Sequence, residues 1–350
     1  MLTSIWPHVH VFAEEADEIH PYMPMYAHLF RGEETFIPLP NRWPQWEKPS
    51  PEPRIDETFR QLLLTAIYRE APVLSALLHK LTEQLLSQLT SPPLLIAILR
   101  AGVPIAALLS RLLSKHFRQP LPVAAFSLFT GVGWDTVALE AILATYPHRP
   151  VWFVDGWTSS GVVAQALRDS YQNWLASGRP DFTQGQGVKL TVLSDPSGHA
   201  DVAATRDDHF IPSACFTAPE TLGFSRGFTN GPGLFKVYRF PESLLYPAFL
   251  QAWLHILETT PHAAVTLSKD SKSHSIMAPP PGWKIHINEV IRVAINRMPQ
   301  EIWLADSQTQ ATTYLAPLLH LCQLRDIPVK FGRTEILAWG ARAAAKMSAD

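Results

Sequence analysis

An α/β fold is what this sequence predicts: a parallel sheet with helices on both faces, followed by a smaller α/β unit. Three observations lead there. Short apolar runs alternate with stretches of helical periodicity through the centre of the chain. The chemically distinctive residues fall just after those runs, where parallel sheets bind their ligands. Beyond about residue 260 the alternation resumes at smaller scale.

The elements follow in order. Residues 1–56 are rich in Pro, Trp and His, with short extended pieces such as Thr35-Phe36-Ile37-Pro38-Leu39, and read as an irregular arm. Leu62, Leu63, Ile67, Val73, Leu74, Leu77 and Leu78 recur at helical spacing across 57–89, and Pro72 is expected to split this stretch into two helices. Strands are predicted at 94–99, 123–129, 151–154 and 188–193, alternating with helices at 103–116, 134–146 and 160–175. A break near 258–262 ends this 57–260 domain. In 263–350, strands are expected at 264–267, 302–305 and 329–331, with helices at 288–297, 309–324 and 335–346.

Hydrophobic residues make up 47% of the 350 and charged ones 17%, enough apolar material for a sizeable core. The formal net charge of -2 predicts no strong field toward nucleic acid or membrane. The charge is uneven: residues 261–350 hold 10 Lys+Arg and 7 Asp+Glu, the remainder 19 and 24. Cys215 and Cys322 cannot build a disulfide framework or a metal site, so no metal bound directly by protein ligands is expected. A reduced, cytoplasmic setting fits. The N-terminus lacks a signal-peptide pattern, and the most apolar run, 94–109, is broken by Arg100, Gly102 and Pro104, so no membrane span is expected.

The segment from Val151 to Gly161 is the most informative. An apolar strand ends in Asp155, and Gly156-Trp157-Thr158-Ser159-Ser160-Gly161 then opens a helix. A helix N-terminus has unpaired N–H groups and a partial positive charge, which suits a phosphate. Thr158, Ser159 and Ser160 add hydroxyl donors, Gly161 allows close approach, and Asp155 stands where it could bind ribose hydroxyls. An ordinary N-cap with a turn is the alternative. Earlier in the chain, Ala97-Ile98-Leu99-Arg100-Ala101-Gly102 forms a second turn whose Arg and backbone amides suit an anion.

Together these turns resemble the 5-phosphate and pyrophosphate loops of type I phosphoribosyltransferases. The resemblance implies pyrophosphate at Arg100, Ala101 and Gly102, the 5-phosphate at Thr158–Gly161, and magnesium carried with a ribosyl diphosphate. The family's second acid is Gly156 here. Val154-Asp-Gly-Trp-Thr158, Arg100-Ala-Gly-Val-Pro-Ile105 and Ile211-Pro-Ser-Ala-Cys215 further resemble a family tied to tellurium-resistance and stress-response loci, known as StiP or the Pelota-fused phosphoribosyltransferases. That family is read either as a transferase or as a cysteine protease. Asp195, Ser225 and Arg226 are then expected at the acceptor site. Under the protease reading Cys215 is the nucleophile, with His209 and His199 near in sequence; the alternative is a small buried hydrophobe.

Asn288-Glu289 followed by Arg292 resembles the Pelota and kink-turn-binding ribosomal-protein family, which implies recognition of structured RNA. Asn288 also suits a helix N-cap. The expected function is thus transfer of ribose 5-phosphate from a ribosyl diphosphate, with a phosphorylated ribose or nucleotide and structured RNA as partners, no membrane, and an assembly as large as a homodimer. A cysteine protease using Cys215 and a non-catalytic nucleotide sensor coupled to RNA binding are the rivals.

Overall fold

The computed structural model describes residues 2–3, 6, 8–15, 55–130, 132–215, 224–226, 236–239, 246–261 and 277–347. Two short strands open the chain, β1 (Leu2–Thr3) and β2 (Val9–Val11), followed by β3 (Glu14–Glu15). The central elements are α1 (Glu57–Leu86), β4 (Leu94–Ile98), α2 (Gly102–Phe117), β5 (Val123–Phe126), β6 (Leu128–Phe129), β7 (Gly133–Trp134), α3 (Thr136–Thr145), β8 (Val151–Val154), α4 (Val162–Ala176), β9 (Leu190–Ser194) and β10 (Val202–Thr205). The main sheet has seven strands in the order β1-β2-β5-β4-β8-β9-β10. All its pairings are parallel except β1 with β2.

Alternation along the strands divides the core. Leu94, Ile96, Phe126, Phe153 and Val192 point to one face, under α3 and α4. Leu95, Ala97, Val123, Ala125 and Val154 point to the other, under α1 and α2. The N-terminal residues expected as an irregular arm contribute in part to this sheet. Val9 and Val11 pair beside Val123 and Ala125 and are buried. The alternating Val9-His10-Val11 is the pattern that puts them there. Residues 16–54, including the extended piece at 35–39, lie outside the described residues.

The expected break at Pro72 is absent: α1 is one helix of 30 residues with Pro72 inside it. Asp56 caps it, its carboxylate accepting from the Phe59 N–H at 2.8 Å. Phe59, Leu63, Ile67, Leu74, Leu78, Leu81 and Leu85 form one buried stripe on both sides of the proline. A mid-helix proline costs about 3 kcal/mol. Each of these side chains returns about 1.5–3 kcal/mol on burial, so packing outweighs the break.

After the 3-10 turn Pro212–Cys215 come β11 (Phe224–Arg226), β12 (Lys236–Arg239) and α5 (Tyr246–Glu258). The C-terminal part holds β13 (Trp283–Ile285), α6 (Ile287–Asn296), β14 (Glu301–Leu304), α7 (Gln308–Tyr314), α8 (Ala316–Leu324), β15 (Val329–Lys330), a 3-10 turn Thr334–Trp339 and β16 (Ala343–Lys346). The helix expected at 309–324 is two, because Pro317 sits in the first turn of α8 and cannot donate to a continuing helix. The helix expected at 335–346 is a larger departure. Gly340 at φ 71° ends the turn, and β16 runs between β13 and β14 in a four-stranded sheet. Ala343, Ala344 and Ala345 are buried, with Trp283, Trp303 and Trp339 clustered on one another across the same sheet. Backbone pairing on two sides overrides the helix preference of alanine. The strand expected at 264–267 lies outside the described residues.

The two parts are not separate cores. One continuous apolar cluster runs from Leu95 and Leu78 to Val290, Ile291, Ile302 and Leu318. The His320 imidazole also meets the Asp56 carboxylate at 2.9 Å, joining α8 to the start of α1. Among the described residues no helix is long and apolar enough to cross a membrane. Leu74, fully buried in the α1 stripe, offers a test. Leu74→Ala is expected to cost about 2–5 kcal/mol in urea unfolding, and a loss under 1 kcal/mol would mean that α1 is not packed as described.

Candidate functional site

The two turns singled out by the sequence lie side by side, because β4 and β8 are parallel neighbours. Gly102 is the reason they can touch. A Cβ there would lie 2.3 Å from the Val154 carbonyl oxygen and 3.1 Å from the Asp155 Cα. Only hydrogen fits at that position, so the Arg100–Gly102 turn rests directly on the turn that begins at Asp155. The Leu99–Arg100 peptide bond within the first turn is cis.

The second turn is largely committed to the protein itself. Asp155 accepts from the Gly156 N–H through Oδ1 at 2.7 Å, and its own N–H donates to the Thr191 carbonyl. Thr158 is buried and donates its N–H to the Ser194 carbonyl. Ser159, also buried, donates its hydroxyl to the Ile285 carbonyl at 2.9 Å and lies 2.7 Å from His286 Nδ1. Since that hydroxyl proton is used on Ile285, the imidazole is the donor toward Ser159. Gly161 sits at φ 75° against the His199 ring, which a Cβ would meet at 2.5 Å. Ser160 alone of the three hydroxyl residues is exposed. A Cβ at Gly156 would lie 2.8 Å from Ser213 Oγ, so a larger side chain there would have to displace that hydroxyl.

Several expected roles change. Asp195 does not face an acceptor. It is buried and accepts from the N–H groups of Gly198, His199 and Ala200 at 2.8–3.0 Å, which folds the loop after β9. Ser225 and Arg226 lie on β11, opposite Tyr238 and Val237 of β12, and their side chains lie outside the described residues. Asn288 is neither an N-cap nor a surface reader of bases. It is 1% exposed; its Oδ1 accepts from the Ile211 N–H, and its Nδ2 donates to the His209 carbonyl, both at 2.8 Å. Both functions of the amide are spent inside the protein. Glu289 and Arg292 hold each other through two bonds of 2.9 Å.

The segment that Asn288 grips leads to Cys215. The neighbouring Asp208 is buried and accepts from the N–H groups of Ile287 and Arg342, both at 2.8 Å. Burial pushes the Asp208 carboxyl above its ordinary range and the His286 imidazole below its own. His209 follows, its Nε2 3.6 Å from Glu70 Oε2 on α1. That nitrogen is buried and has no hydrogen bond within reach among the described residues. Burial holds His209 neutral, with its pKa pulled down to about 4, and raises Glu70, which Arg69 partly opposes. Cys215 closes the 3-10 turn, wholly buried, and loss of hydration pushes its thiol far above the usual range. Cys322 is likewise buried, its thiol pushed up to about 12. Glu70, Asp208 and His286 were not singled out by the sequence. A carboxylate in the buried stripe of α1 was the available signal for Glu70. Among the described residues, no group of three or more His, Cys, Asp or Glu side chains could hold a metal ion.

Residues 46–234 match the family model described as "Tellurite-like stress resistance cysteine protease StiP". The chain belongs to the StiP family. Cys215 is the one cysteine inside the matched segment. A curated relative, the "Cysteine protease StiP" of Acinetobacter baylyi, is 33% identical over 156 residues, covering 45% of this StiP-family chain and 39% of that protein. The match thus spans well under half of the relative's length. Among solved structures, a hypothetical protein from Neisseria gonorrhoeae with bound ppGpp is 18% identical at a TM-score of 0.26, covering 39% of this chain and 77% of that one. The hypoxanthine phosphoribosyltransferase of Trypanosoma cruzi is 18% identical at 0.25, covering 41% and 76%. Likenesses of that size carry no argument about chemistry. The family match overturns the expected transfer of ribose 5-phosphate: the description attached to this family and to its curated relative is that of a cysteine protease. The magnesium expected with the diphosphate donor loses its argument with it.

Two measurements check this geometry. Gly102→Ala is expected to destabilise the chain by about 1–3 kcal/mol through forced separation of the two turns, and a neutral effect in thermal melting would contradict the contact. His209 supplies a pH dependence. Its folded pKa of about 4 lies below its ordinary 6.5, so the unfolded chain binds the proton first. Its contribution is whole above pH 6.5 and falls away toward pH 4, on the order of 2 kcal/mol after allowance for partial exposure. The raised Glu70 acts with the opposite sign, so the comparison is with His209→Gln. That variant should lose less stability than the parent over this window, and parallel profiles would refute a neutral His209.

Proposed function

We propose that this chain is a cysteine peptidase whose nucleophile is Cys215. The observation that carries the reading is the coincidence of Cys215, the one cysteine in the family segment, with a buried histidine six residues earlier. In the reaction, the sulfur attacks a peptide carbonyl carbon and its proton passes to His209. The amine leaves with that proton, and water then releases the acyl group from sulfur. A neutral His209 can accept the proton, and Glu70, 3.6 Å from its Nε2, can stabilise the imidazolium that results. Burial raises the Cys215 thiol and lowers the His209 imidazole, so this transfer requires the surroundings of the pair to change when the segment opens to substrate.

The finer shape of the fold belongs to the same reading. The core is taken as phosphoribosyltransferase-like in form, supported by the two turns at the ends of β4 and β8. The module from β13 onward is taken as Pelota-like. Neither form supplies the chemistry, which is argued from the site alone.

Cys215→Ala is expected to abolish hydrolysis of an unstructured protein substrate such as casein, whereas Cys322→Ala leaves it within a factor of about two. Activity that survives the loss of Cys215 would end this assignment. A hydrolysis rate that falls only with Cys322→Ala would move the nucleophile to α8.

A further inference from the structure

In this structure Cys215 is shielded from solvent and its segment is bound by the start of α6. We propose that the N-terminal end of α6 is a latch over the Cys215 segment, and that its local opening is the step that admits a peptide to the thiol. The inference rests on the peptidase reading for its consequence, but its evidence is separate.

Three buried polar side chains, Asn288, Asp208 and Ser159, form the latch. Asn288 bonds both the His209 carbonyl and the Ile211 N–H, so it pins the backbone immediately before the 3-10 turn. Asp208 answers in the other direction, accepting from the Ile287 N–H at the first residue of α6 and from the Arg342 N–H. Ser159 and the Ile285–His286 strand end close the far side. Beneath them Ile211, Ala214, Cys215, Ile287, Val290 and Ile291 lie in one apolar cluster. Bonds of this kind strengthen one another in a dry environment, and each strands a partner if cut. They also bear on the one segment that must move. A substrate carbonyl has to come within about 3–3.5 Å of the sulfur to react, while Cys215 is 0% exposed.

The test uses the full chain in a Cys322→Ala background, so that Cys215 is the one thiol. Alkylation by iodoacetamide under native conditions reads the opening directly. Asn288→Ala removes both amide bonds and is expected to speed alkylation about tenfold or more. Asn288→Asp keeps the acceptor for Ile211 and should fall between. An alkylation rate unchanged in Asn288→Ala overturns the latch. If Asn288→Ala does not fold, the parent chain still decides. A local latch predicts a native alkylation rate nearly independent of low urea, whereas a rate with the full denaturant dependence of global unfolding overturns it. The two readings fail separately. Faster labelling without any Cys215-dependent cleavage would sink the peptidase and keep the latch. Cys215-dependent cleavage with labelling unmoved by Asn288→Ala would do the reverse.

Discussion

Asp208 and Asn288 are removed from water, and a polar group so placed must find its partners within the chain. Each finds them on the other side of a seam. The carboxylate of Asp208 serves the backbone of α6 and of the strand end at Arg342, and the amide of Asn288 serves the backbone before Cys215. This exchange sets where the C-terminal module sits. It also decides that the hydroxyl loop after β8 meets His286 rather than open solvent. Much of what distinguishes the site from a bare anion-binding turn follows from those four bonds.

The central sheet was legible because its strands are fully buried runs and its helices carry clear periodicity. The turns at Arg100–Gly102 and Asp155–Gly161 were legible as candidate anion sites from their residue types, while their contact depends on β4 pairing with β8, which chain order alone does not give. Three features were not legible. Pro72 reads locally as a break, and only the length of apolar surface on either side of it shows that α1 continues. Ala343–Ala345 reads locally as helix, and only its two strand partners make it a strand. Asn288 reads as a cap or an RNA contact, and only the fold brings Ile211 to its amide. In each case a contact distant in sequence outweighed a local preference.

Gly156 joins the turn after β8 to a segment distant in sequence, since a Cβ there would lie 2.8 Å from Ser213 Oγ in the 3-10 turn that ends at Cys215. The same loop delivers His209 and Cys215. The β8 turn therefore packs directly against the segment whose backbone Asn288 holds.

The apolar cluster that joins the sheet to the C-terminal module has a consequence for cooperativity. A boundary near residue 260 looks like a border between domains, yet Val290, Ile302 and Leu318 belong to the same core as Leu78 and Leu95. Two units that share one interior lose their heat of packing together. In calorimetry such a chain is expected to show a single transition, with its calorimetric and van't Hoff enthalpies equal. The sequence is modular, but one buried apolar cluster runs from β2 to β16.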